Sequence, residues 1–143
     1  MSYLTLTFKQ RMMSGGHCWR LDRDIMSNQV AWLLMRLDRD TLGRSAARKK
    51  SQLQRAVFFE GDGFLKRHHS HIIIERLGGM SEHELKIKVA ALWRKSHWGY
   101  KQIDSRRCYE KYGLMKYNFK EGVDALDTRN TYFNKDSCAD RDQ

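Results

Sequence analysis

The sequence predicts an α+β domain with an antiparallel sheet, and three observations carry that prediction. Short runs rich in β-branched and aromatic residues recur along the chain. Two segments with helical apolar spacing fall between them. The 143 residues are 41% hydrophobic, enough for one domain with a real core and too few for two.

The elements follow in order. Tyr3-Leu4-Thr5-Leu6-Thr7-Phe8 alternates as a strand does, and Ser14-Gly15-Gly16 marks a turn. From about Asp24 to Leu42, Met26, Val30, Leu33 and Leu37 recur at i, i+4, i+7 and i+11, the stripe of an amphipathic helix. Arg55–Glu60 reads as a second strand closed by Gly61-Asp62-Gly63, and about His68–Arg76 as a third, broken by Leu77-Gly78-Gly79. Ser81-Glu82-His83-Glu84 has the form of a capping box and opens a helix to about Lys95, with Leu85, Val89, Leu92 and Trp93 as its stripe. Tyr100–Arg107 is a fourth strand, and a last helix runs from about Gly113 to Lys120. The order βαββαβ plus a helix is the ferredoxin-like plan, with two helices on one face of the sheet and the other face available.

Charge narrows the function. The formal net charge is +10 and the pI about 9.7, a balance that attracts polyanions. Between Thr41 and Arg55 there are five cations (Arg44, Arg48, Lys49, Lys50, Arg55) and no acid. Beyond Lys120 the sign reverses, with six acids against three bases. Residues 134–143 are therefore expected to form a flexible acidic tail on a domain spanning residues 1–133. Three widely spaced cysteines without C-x-x-C support neither a disulfide framework nor a structural zinc site. With no long apolar span and no leader-like start, a cytoplasmic protein without membrane insertion is expected.

The most informative pair is His69 and His71. Strand residues two apart project to the same face, roughly 6–7 Å apart, so two imidazoles there can grip one metal ion. The opposite parity, Ser70, Ile72 and Ile74, suits a covered face. If the second and third strands form a hairpin, Glu60 and His69 flank a connection of residues 61–68, and symmetric closure sets them opposite one another. Glu60 then adds a carboxylate to the imidazoles, a mixed donor set that suits catalytic Mn²⁺ or Mg²⁺. Glu75 shares the parity of the histidines and competes as third ligand, from two strand steps further on. Tyr117-Asn118-Phe119-Lys120 places a phenol and an ammonium three residues apart on a helix, where they are neighbours. A phenol is a poor nucleophile until a nearby cation favours its phenolate.

These motifs resemble a family. Leu4-Thr5-Leu6-Thr7-Phe8-Lys9 is similar to the first motif of rolling-circle replication initiators. His69-Ser70-His71 resembles the motif that names the HUH endonucleases, and Tyr117-Asn118-Phe119-Lys120 their catalytic-tyrosine motif, in matching order over roughly residues 3 to 133. Leu92-Trp93 and the Trp98–Asp104 run look like those of small bacterial and phage replication-associated proteins of that superfamily. One position departs, Ser70, where the family has a bulky hydrophobe.

The resemblance implies a metal-dependent nick in single-stranded DNA at an origin hairpin. His69, His71 and Glu60 would hold the metal, and Tyr117 would attack the phosphate to leave a 5′-phosphotyrosine link and a free 3′-hydroxyl. Lys120 would assist by charge, with a host polymerase and helicase as partners. Tyr109 and Tyr112 lack an i, i+4 relation to Tyr117, which favours a single nucleophile. Arg44, Arg48, Lys49, Lys50, Arg106 and Arg107 would bind backbone phosphates, and Trp98 and Tyr100 could stack on bases. A transposase or relaxase of the same superfamily would share these residues. A non-catalytic binding module would share the strand order but would carry aromatics on the third strand, where this chain has histidines and isoleucines.

Overall fold

The computed structural model describes residues 1–48, 51–61 and 66–133. In chain order the elements are β1 (Ser2–Phe8), β2 (Arg11–Ser14), β3 (His17–Arg20), α1 (Arg23–Arg48), β4 (Arg55–Glu60), β5 (His69–Ile74), α2 (Glu82–Trp93), β6 (Gly99–Arg107) and α3 (Lys111–Asn118). Two 3₁₀ turns follow, Phe119–Glu121 and Val123–Ala125. Lys49 and Lys50, and the tail 134–143, lie outside the described residues.

Four strands form one antiparallel sheet in the order β4-β5-β1-β6, an α+β arrangement broadly compatible with the ferredoxin-like plan. Strand alternation divides the apolar residues between its faces. Leu4, Leu6, Phe8, Val57, Phe59, Ile72 and Ile74 meet the stripes of α1 and α2 in the main core. Ser70 shares their parity and is fully buried, so a small side chain stands where the helices crowd the sheet. α2 opens on the expected capping box, with the Ser81 and Glu84 side chains each bonded to the other's backbone N–H. α1 keeps helical geometry to Leu42, where its apolar periodicity ends. Gly43 breaks it (φ +78°, ψ 171°) before a last stretch to Arg48.

Three sequence expectations change. The Ser14-Gly15-Gly16 turn closes a two-stranded ribbon, β2–β3, paired from Arg11↔Arg20 to Ser14↔His17. Gly15 and Gly16 both take positive φ, as a type I′ hairpin requires. The sheet face away from α1 and α2 is not open: Ala56, Phe58 and Ile73 pack there under Leu114, Met115, Phe119 and Leu126 from α3 and the segment beyond it. Arg55, counted among the surface cations, is internal. Its Nη1 donates to both Asp38 carboxylate oxygens at 2.8 and 2.7 Å.

That ion pair organises the β4 edge. Asp38 Oδ1 also accepts from Leu53 N at 3.0 Å, Arg55 Nε donates to Asn130 O at 3.2 Å, and the Arg55 backbone exchanges hydrogen bonds with Tyr132. Asp127 accepts from Ser27 and Asn130 in a second buried network. The 123–133 segment is thus tied across the edge of β4, which would otherwise offer unpaired backbone groups. Asp38→Ala strands the buried guanidinium and is expected to cost about 3–5 kcal/mol, read as a lowered urea midpoint.

Candidate metal centre

The pairing of β4 with β5 builds the site. Its register sets Glu60 opposite His69 and Phe58 opposite His71, so Glu60, His69 and His71 share one face. His69 Nε2 lies 2.7 Å and His71 Nε2 3.1 Å from the same oxygen, Glu60 Oε2, with the rings edge to face at 4.7 Å between centroids. One donor atom from each of the three residues lies within 4.8 Å of the others, a group that could hold a metal ion. Glu75 stays outside it: its Oε2 accepts from Gln54 N at 3.1 Å, beside the start of β4.

Neighbouring groups orient both imidazoles. His69 Nδ1 donates to Arg67 O at 2.9 Å. A carbonyl can only accept, so Nδ1 carries a proton and leaves Nε2 as the ring atom that faces Glu60 and would turn to a metal. His71 Nδ1 lies 3.1 Å from Thr5 Oγ1, and the Tyr3 ring stacks on His71 at 5.2 Å with an interplanar angle of 15°. Such outer contacts fix ring orientation at metal sites. Gly61 keeps the adjoining loop close. Its φ is +116°, and a Cβ there would meet Arg67 O at 2.8 Å and His68 Cα at 2.7 Å. Any side chain at Gly61 would push on the carbonyl that holds His69.

Tyr117 and Lys120 approach from the other side. Lys120 Nζ donates to Tyr117 Oη at 3.0 Å and pairs with Glu60 Oε1 at 3.0 Å, so the phenol stands within two hydrogen-bond lengths of the carboxylate. The anchor for this approach is Tyr3, whose hydroxyl donates to Asn118 Oδ1 at 3.1 Å. Burial raises the Tyr3 phenol to about 12 despite that bond, which keeps it a neutral donor. Tyr117 itself is 56% exposed.

The electrostatics suit a cation. Burial alone would raise the Glu60 carboxyl, but Lys120 and the two imidazoles outweigh it and hold the group down to about 2. His71 is lowered, by burial first and then by the charge of His69, which favours the neutral imidazole a metal needs. Lys120 is raised by its bonds to Tyr117 and Glu60, which favours the charged ammonium. Two imidazole nitrogens and one carboxylate oxygen make a mixed donor set that could hold a metal ion.

The remaining expectations divide. Arg44 and Arg48 are exposed, in the stretch of α1 beyond the break at Gly43. Arg106 shares the site face through its pairing with Tyr3 and is held by Asp104 at 2.6 Å. Arg107 has the other parity, with its guanidinium 5.3 Å above the Tyr109 ring. Trp98 is buried in the main core and not available to stack. Tyr100 is 39% exposed, with the Arg67 guanidinium 4.6 Å above its ring. Sequence reasoning missed Tyr3 and Thr5 as supports. The signal was the alternation of β1, which sets both opposite the parity of Leu4 and Leu6. Comparison with protein-family models, with curated proteins and with solved structures finds no match.

Proposed function

We propose that the protein is a metal-dependent single-strand DNA endonuclease of the HUH type on a ferredoxin-like βαββαβ scaffold, nicking an origin to initiate rolling-circle replication. The observation that carries this reading is the link from Tyr117 through Lys120 to Glu60, with both histidine Nε2 atoms on the carboxylate's other oxygen. Glu60, His69 and His71 would hold Mn²⁺ or Mg²⁺, which when bound supplies Lewis acidity toward phosphate oxygens. Tyr117 Oη forms a bond to phosphorus as the bond from phosphorus to O3′ breaks. The phenol gives up its proton and the departing 3′ oxygen takes one up, so charge balances. Lys120 stays protonated and steadies negative charge on the phenolate and the phosphate. Because Tyr117 keeps the phosphodiester energy as a 5′-phosphotyrosine, the same residues can later rejoin ends.

The test is covalent capture. Labelled single-stranded oligonucleotides tiling the DNA that encodes this protein are incubated with the full chain and Mn²⁺. One tile is expected to yield an adduct that survives denaturing electrophoresis, is absent with chelator, and maps to the Tyr117 peptide. Failure of every tile, with metal demonstrably bound, would overturn the reading in favour of a binding module.

A further inference from the structure

Tyr3 serves both halves of the site with one side chain. Its ring stacks on His71 at 5.2 Å and 15°, and its hydroxyl donates to Asn118 Oδ1 at 3.1 Å. The backbone beneath it is held on both sides, because β1 lies inside the sheet with Tyr3 opposite Ile73 of β5 and Arg106 of β6. Asn118 is equally fixed. It is fully buried, and its Nδ2 donates to Leu114 O at 2.9 Å, which leaves Oδ1 as the atom turned to Tyr3. On its other side Phe119 meets the Phe58 ring edge to face at 5.1 Å. Asn118 directly follows Tyr117 in the chain, so the bond from Tyr3 pins the turn that carries the phenol.

Two ties hold that turn to the site, and they respond differently to a cation. Lys120 reaches Glu60 Oε1 at 3.0 Å through a side chain that is 41% exposed. An ammonium and a metal ion are like charges competing for one carboxylate, so loading the site weakens this tie. The Tyr3–Asn118 bond joins a phenol to an amide and meets no such conflict. It is the tie that persists once the carboxylate is committed to a metal.

We infer that Tyr3 is a positioning residue: through Asn118 it holds the Tyr117 phenol at the metal centre, while its ring keeps His71 in its ligating orientation. The inference rests on the nicking proposal for the reaction that Tyr3 serves, and on the geometry alone for the tie between β1 and the end of α3.

The test removes one oxygen. Tyr3→Phe keeps the ring on His71 and deletes the bond to Asn118, so calorimetric titration with Mn²⁺ should match the parent. At saturating oligonucleotide the rate of adduct formation is expected to fall about tenfold to a hundredfold, the effect of a misplacement of about 1 Å. The half-saturating oligonucleotide concentration should stay at the parental value. Hydrogen exchange of the full chain in chelator follows the tie without catalysis. Amides 115–119 should exchange faster in Tyr3→Phe and those of β1 and β5 should not, whereas a general loss of stability would speed all of them. Thr5→Val is the contrast: it removes the hydroxyl 3.1 Å from His71 Nδ1 and no bond to α3, so amides 115–119 should keep the parental rate. A parental adduct rate in Tyr3→Phe overturns the inference, as does unchanged exchange at 115–119 or equal acceleration there in Thr5→Val. If the parent protein forms no adduct on any tile, nicking is lost, and faster exchange at 115–119 in Tyr3→Phe still upholds the tie.

Discussion

Tyr117→Phe is expected to abolish the covalent adduct, by on the order of a thousandfold or more, while leaving metal binding unchanged. The substitution removes one oxygen and keeps the ring. That ring is 56% exposed, so stability should move by no more than about 0.5 kcal/mol. Lys120 loses one partner but keeps Glu60 Oε1 at 3.0 Å, and the two imidazole contacts to Glu60 Oε2 do not involve the phenol. Calorimetric titration with Mn²⁺ should therefore superimpose on that of the parent protein. An adduct that persists in Tyr117→Phe would assign the nucleophile elsewhere, and Tyr109, 85% exposed just before α3, would be the first peptide to map.

What the sequence made legible was local. The parity of Ser70, Ile72 and Ile74 against His69 and His71 follows from the strand period alone, and the eight-residue connection forecasts the pairing of Glu60 with His69. The Ser81–Glu84 capping box needs only its own four residues. What stayed hidden depends on partners distant in the chain. Nothing near Tyr3 or Thr5 reveals that β1 lies beside β5, so their contacts with His71 could not be read. Arg55 looks like a surface cation until Asp38, on a preceding helix, closes on it. The ribbon escaped notice because Met12-Met13 and Cys18-Trp19 do not alternate in polarity. The covering of the second sheet face escaped because the 123–133 segment has no periodicity; it is held by Asp127 and Asn130, not by an apolar stripe.

Glu60→Gln should have the second large effect, and it separates two roles of one carboxylate. The amide keeps the shape but loses the negative charge and presents donors where both Nε2 atoms and Lys120 Nζ need an acceptor. Loss of an outer-shell partner typically costs 10–100-fold in metal affinity, so loss of a charged ligand should cost at least about a hundredfold, read by calorimetry. The second role appears in the metal-free protein. Lys120 and the imidazoles hold the folded carboxyl at about 2 against an ordinary 4.5. A depressed folded value means stabilisation that is complete above pH 4.5 and is lost as the pH falls through about 2. The shift corresponds to about 3 kcal/mol. In chelator, Glu60→Gln should therefore have a lower urea midpoint than the parent at pH 7, and the gap should narrow from pH 5 toward pH 2. Parallel curves across that range would mean that the ammonium and the imidazoles do not stabilise the carboxylate in solution. The link between Tyr117 and the histidine pair would then lose its physical basis, because both of its arms meet at Glu60.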